Sequence, residues 1–348
     1  MNPYSKAPPK AFWKTAIADL DLFEISEVWR PRHPITRDTS IVTYGSCFAQ
    51  HFSRALLRNG YGWRNHEPAP EGMHETTATA FNYGVFSSRT ANIYTTGILR
   101  QWMDWATGDR EQPDECWIRG DRFIDPFRPR IEPEGFETVE EMRRSRDVAV
   151  KAFRRSVLQC DVFVFTLGLT ECWRNVSQGI EYPMCPGTVA GTFDPEKHTF
   201  FNLGHAEILQ DARRVIGHLE AHNPGVKVLL TVSPVPLTAT GSGDHVLVAT
   251  VRSKAVLRAV ADALYQEFEC VDYFPSFELV TSPKARSMFF EANMRSVTQA
   301  GVEFVMNTFF RSMAETFGSE SEQPAVEEVE DDVDVFCEEE YLEESIGN

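Results

Sequence analysis

Gly45-Ser46-Cys47 lies where a short apolar run, Ile41 to Tyr44, meets an amphipathic stretch that begins at Phe48. A thiol and a hydroxyl at a strand-to-helix junction face several backbone N–H groups and the positive end of the helix dipole. A thiol in that position has its pKa lowered, because the thiolate is the form stabilised. The same amides can hold an oxyanion during acyl transfer. Cys47 then reads as an activated nucleophile, and Ser46 as a neighbouring donor or as the nucleophile itself. The alternative is structural: Ser46 caps the helix and Cys47 is a small core residue.

A nucleophile needs a base. His245, at the end of "TATGSGDH", follows an apolar run and is the best-placed histidine. His51 is one turn into the first helix, where the spacing from Cys47 also fits a shared helix face. His198 and His205 lie in or beside a long irregular stretch, and His218 and His222 share a face that reads as solvated. No tight ligand spacing accompanies these histidines, so no metal site is expected. Glu171, in "GLTECW", can orient an imidazole or accept a substrate hydroxyl; it can equally cap a helix or pair with an arginine. Gly168 and Thr170 offer amide and hydroxyl donors. Asn82 and Gly84, in "FNYG", offer an amide side chain and a flexible backbone. Trp102, Trp105 and Trp117 read as local core, with a sugar-facing platform as the alternative.

The elements that must position these groups follow from periodicity. Apolar runs at 41–44, 161–168, 226–234 and 270–275 read as strands. Helical spacing marks 48–59, 95–107, 138–158, 205–225, 248–267 and 298–316. Strand-helix alternation with continuous apolar strands predicts an α/β fold with a doubly wound, flavodoxin-like parallel sheet of about five strands in a three-layer α/β/α sandwich. Residues 1–37 read as a surface-wrapping extension, 38–316 as the domain, 62–135 as an irregular insertion and 317–348 as an acidic, disordered tail. Ligands bind such sheets beyond the carboxyl ends of the strands, where 45–47, 166–171, 231–245 and 273–278 all fall.

The net charge of −17 is uneven: thirteen acidic and no basic residues fall in 319–348, leaving −4 for the rest. That tail cannot bury enough apolar surface to fold alone, and is either a solubilising appendage or a docking site for a protein partner. No basic face indicates nucleic acid as a partner. No apolar run is long enough for a membrane span, and no secretory signal is visible. Seven scattered cysteines without a C-x-x-C pair indicate reduced thiols and a cytoplasmic location.

"TYGSCFAQHF" resembles the motif that names the GSCFA family, and "FNYG", "FTLGLTECW", "TVSPVPLTAT", "SKAVLRA" and "YFPSFE" resemble its further blocks in order, over about residues 38–312. That family is in turn similar to the SGNH (GDSL-type) hydrolases, esterases and O-acyltransferases of which many act on acylated sugars. The resemblance implies that Cys47 takes the nucleophile's place, Ser46 the aspartate's, Thr170 that of the oxyanion-hole asparagine, and Gly84 that of the glycine block. The pattern departs at the last block, where Asn293-Met294-Arg295-Ser296 replaces Asp-x-x-His, so both partners of the triad are absent. Asn293 and Arg295 then become candidate substrate-binding residues, and Arg295 a candidate for an anionic group such as that of an acyl-CoA donor. No cofactor is otherwise required. The expected function is acyl transfer, by an esterase or O-acyltransferase acting on a carbohydrate or similar hydroxylated substrate. In that scheme Cys47 or Ser46 attacks, His245 accepts the proton, Glu171 assists, and the amides at 45–48, Asn82, Gly168 and Thr170 stabilise the oxyanion. The alternative is a catalytically degenerate module that binds a glycan or a protein.

Overall fold

The computed structural model describes residues 2–318, so the acidic tail lies almost wholly outside the described residues. In chain order the elements are β1 (Ile41–Gly45), α1 (Phe48–Arg58), α2 (Glu75–Ala80), α3 (Thr96–Thr107), β2 (Trp117–Arg119), β3 (Arg122–Ile124), α4 (Val139–Gln159), β4 (Val162–Leu167), β5 (Glu171–Asn175), β6 (Ile180–Tyr182), β7 (His198–Asn202), α5 (His205–His222), β8 (Lys227–Val232), α6 (Val246–Glu267), β9 (Val271–Tyr273), α7 (Ser276–Thr281) and α8 (Gln299–Phe317).

Four strands form the central parallel sheet, in the order β1-β4-β8-β9. Side chains alternate between its faces. Val162, Val164 and Leu229 pack under Phe48, Phe52 and Leu56 of α1 and Phe304 and Phe309 of α8. Phe163, Phe165 and Val228 pack on the other face under Trp102 of α3, Phe153 of α4, Ile216 of α5 and Leu264 of α6. Helices thus cover both faces of an apolar sheet, as the three-layer expectation requires.

The fifth strand is reduced to a single parallel bridge between Ile41 and Trp63. Pro68 and Pro70 follow at once, and neither can donate to a ladder. Loop groups close that edge of β1 instead. Gly62 O accepts from Ile41 N–H at 2.9 Å, Ser87 Oγ accepts from Thr43 N–H at 2.9 Å, and Gly45 O accepts from Ile93 N–H at 2.8 Å. Because the Trp63 bridge lies on one side of β1 and β4 on the other, the chain reverses its winding between β1 and β4. That crevice is the topological switch point.

Three segments are more ordered than periodicity indicates. The 1–37 extension does not merely wrap the surface: Leu22, Ile25, Trp29 and Ile35 enter the α1/α8 core, and Trp29 stacks on Phe309 with centroids 5.3 Å apart. Residues 62–135 contain α2, α3 and the β2–β3 hairpin. They are tied down by Asp125, which bonds Arg128 at 2.8 Å and Arg146 at 3.0 Å with all three side chains buried. Burial alone would raise the Asp125 pKa, but the two guanidiniums outweigh it and hold the carboxyl below its usual value. Residues 172–204, which carry no clear alternation, form an antiparallel sheet in the order β6-β5-β7. Its strands are three to five residues long, too short to show a period.

Candidate functional site

At the switch point β1 ends in Gly45, whose φ of +131° few side chains tolerate. A Cβ there would stand 2.3 Å from Thr166 O of β4, so glycine lets the two strand ends close together. Ser46 N–H then donates to Thr166 O at 3.2 Å, and α1 starts after Cys47. Cys47 occupies the N-cap position in helical geometry, with its thiol making no capping bond. It is buried, at 7 % exposure, and not in a disulfide. Phe48 N–H, the first of the helix, has no acceptor within it.

Ser46 is 3 % exposed, and its Oγ has no hydrogen-bond partner; the neighbouring Thr166 Oγ1 is buried in the same state. Ser46 is therefore not the helix cap that a purely structural reading requires. A buried hydroxyl left unpaired costs about 1–3 kcal/mol. Gly168 lies directly against it: a Cβ on Gly168 would meet Ser46 Cβ at 2.9 Å and Tyr94 O at 3.1 Å.

The 168–170 turn is held by three consecutive residues of α6. Lys254 Nζ donates to Gly168 O at 2.8 Å, Thr170 N–H donates to Ser253 Oγ at 3.2 Å, and Arg252 donates to Thr170 Oγ1 at 3.2 Å. Lys254 is 2 % exposed. Neither Lys254 nor Tyr94 was singled out from the sequence, although a signal existed for the lysine. It falls on the apolar face of α6 with Ala249, Ser253, Leu257 and Ala261, where an unpaired charge is costly. "SKAVLRA" contains it.

Several expected site residues are committed elsewhere. His245 is exposed and is the N-cap of α6, where its Nδ1 accepts from Leu247 N–H at 3.1 Å. Among the described residues no hydrogen bond links this imidazole to the 45–47 turn. Its role as proton acceptor is therefore not supported. Thr170 donates its hydroxyl to Asn202 Oδ1 at 2.7 Å and is not an oxyanion donor in this state. Glu171 accepts from Thr240 Oγ1 at 2.6 Å and from Gly241 N–H at 3.2 Å, pinning the β8–α6 loop to β5. Asn82 donates to Arg130 O at 3.3 Å, and Gly84 is exposed with φ +76°. Among the described residues no hydrogen bond links either to the 45–47 turn. Asn293 closes a local turn by accepting from Arg295 N–H and Ser296 N–H, both at 2.9 Å. Arg295 is buried, at 9 % exposure. The structure thus brings together Gly45, Ser46, Cys47 and Gly168, keeps Thr170 in the adjoining turn, and commits His245, Glu171, Asn82 and Asn293 to bonds elsewhere.

His51 is on the Cys47 side of α1. Its pKa is lowered to about 4, first by burial and then by Arg54 and Arg58 of the same helix. At neutral pH it is an uncharged imidazole. Among the described residues one group has metal-ligand spacing, Asp104, Asp109 and His218. Arg214 already pairs with both carboxylates, at 2.9 and 3.5 Å. Trp102, Trp105 and Trp117 are buried and form no exposed platform. No helix among the described residues is long and apolar enough to cross a membrane.

The model of the GSCFA family matches residues 40–309, from β1 into α8. The chain belongs to the GSCFA family. The match takes in the Gly45-Ser46-Cys47 turn, the insertion, the three-stranded sheet and all of the central sheet, and ends inside α8. Among curated proteins and solved structures, nothing matches this GSCFA chain.

Proposed function

We propose that this GSCFA protein is an acyl-transfer enzyme, an esterase or O-acyltransferase, with its nucleophile in the Ser46–Cys47 turn. The observation that supports this reading is the buried, unspent Ser46 hydroxyl beside a thiol at a helix N-terminus, on the switch point of a parallel sheet. In this reading the Cys47 thiolate is stabilised by the α1 dipole and attacks the acyl carbon. The bond to the alcohol oxygen breaks and a thioester remains, which water or a second hydroxyl then cleaves. Phe48 N–H and the Ser46 hydroxyl are the donors for the carbonyl oxygen. Lys254 Nζ, bonded to Gly168 O, holds the 168–170 turn against Ser46. A hydroxylated acceptor such as a glycan follows from the SGNH resemblance, and an acyl-CoA donor from the arginine, Arg295, that stands where the pattern departs from it.

One observation favours a second reading, a binding module without catalysis: the His245 imidazole is consumed as a helix cap. A panel of p-nitrophenyl esters and acyl-CoA donors assayed with Cys47→Ala, Cys47→Ser and Ser46→Ala separates the two. Acyl transfer predicts turnover in the parent that Cys47→Ala abolishes, with a trapped thioester visible by mass spectrometry. Turnover that survives Cys47→Ala removes Cys47 as the nucleophile, and a parent inert to the whole panel leaves the binding reading.

A further inference from the structure

A cavity of about 210 Å³ opens between the β6-β5-β7 sheet and the β8–α6 loop. Its walls are apolar, formed chiefly by Leu169, Trp173, Met184, Phe200, Leu237 and Ala239. The polar groups on its rim are already satisfied by one another, since Glu171 accepts from both Thr240 and Gly241. Gly241 packs flat against Phe200, with room for no side chain: a Cβ would stand 2.7 Å from the ring. These contacts place the loop against β5 and β7 as one wall of the cavity. Such a space offers water few partners and favours an apolar occupant.

Its position relates it to the Ser46 turn. Gly168 touches Ser46, and the next residue, Leu169, lines the cavity. Consecutive Cα atoms are about 3.8 Å apart. Tyr94, Leu169 and Leu237 pack as one small apolar cluster along that path, with Val246 of α6 against it. Leu247, Val248 and Val251 are exposed at the start of the same helix. The side chains between the Ser46–Cys47 turn and the cavity are thus apolar.

We propose that this cavity binds the apolar chain of the acyl group, a saturated chain of six to eight carbons. The assignment of that chain to an acyl substrate rests on the acyl-transfer reading above. The length follows from volume: a dry cavity of about 150 Å³ accepts benzene, so one about two-fifths larger takes roughly eight carbon atoms.

The test reads occupancy directly. Cys185 lines the cavity and is half-buried, so its alkylation by iodoacetamide, followed by peptide mass spectrometry, reports on filling. Straight-chain alcohols from butanol to dodecanol serve as probes, in the full chain and in Cys47→Ala. Protection should strengthen about threefold to fourfold per added methylene and level off beyond eight carbons. Ala239→Phe, on the partly exposed loop wall, should weaken octanol protection at least tenfold. Met184→Ala should move the levelling-off to longer chains. Protection that is independent of chain length, or unchanged in Ala239→Phe, overturns the cavity. The outcomes separate from those of the acyl-transfer reading. Chain-dependent protection without ester turnover keeps the apolar site and removes the acyl assignment; ester turnover without chain-length preference removes the site and leaves the enzyme.

Discussion

Replacing Gly168 by alanine tests the contact on which the site is built. The φ of Gly168 lies outside the left-handed region, so an alanine backbone is unstrained there and the new methyl alone decides the outcome. That methyl would stand 2.9 Å from Ser46 Cβ and 3.1 Å from Tyr94 O. Carbon atoms pack best at about 3.5–4.0 Å, so Ser46 must give way by at least about 0.6 Å. Overpacking of this kind costs about 1–3 kcal/mol. Stiffening of the unfolded chain returns about 0.4–1 kcal/mol. The net loss is about 0.5–2 kcal/mol, a fall in Tm of about 1–4 °C. The functional effect is larger, because a shift of that size in a reacting group costs about 10- to 100-fold in rate. Calorimetry, ester turnover and the rate of Cys47 alkylation are measured on Gly168→Ala, on Ser46→Gly and on the double variant. Ser46→Gly removes the Cβ that the new methyl strikes. The two substitutions should therefore couple by about 1 kcal/mol, the double variant losing less than the sum. Strict additivity, or a Gly168→Ala protein more stable than its parent with unchanged Cys47 reactivity, refutes the contact.

Asp125→Asn should destabilise the fold by about 3–5 kcal/mol, read by denaturant unfolding, because it leaves Arg128 and Arg146 buried against a neutral group. His245→Ala should cost about 0.5–1 kcal/mol, the loss of a helix cap, and leave ester turnover unchanged; a fall in kcat would restore the imidazole to the reaction. His51 contributes a pH dependence of known sign. Its folded pKa of about 4 lies below the unfolded value of about 6.5, so the unfolded chain binds more protons between the two. Stability is full above about pH 6.5 and falls toward pH 4, by at most about 3 kcal/mol. The difference in unfolding free energy between the parent and His51→Gln, measured across that window, should show this slope; equal slopes would contradict it.

Much of this molecule is written in local sequence. The apolar runs that became β1, β4, β8 and β9 are continuous because helices cover both faces, and their flanking helices carry a 3.6-residue period. The Gly45-Ser46-Cys47 turn is legible because an apolar run ends in glycine there and helical spacing begins at Phe48. Acidic residues 319–348 stood out by composition alone. What remained hidden depended on contacts between distant residues. In place of a full fifth strand, Trp63 from the α1–α2 loop and Ser87 and Ile93 from the α2–α3 loop complete the edge of β1. The β6-β5-β7 sheet uses strands too short to carry a period. His245 was judged by its position on the strand edge, but whether its ring faces the crevice or folds back onto Leu247 N–H depends on the start of α6. Lys254 joined the site for the converse reason: its place on the buried face of α6 brings a side chain 86 residues distant onto the Gly168 carbonyl. Local sequence determined the strands of the central sheet, the helices that flank it and the turn that bears the thiol. Only tertiary packing decided which side chains were consumed in holding that turn and which, like the Ser46 hydroxyl, were left unspent, because a polar side chain bonds to whatever partner the fold presents.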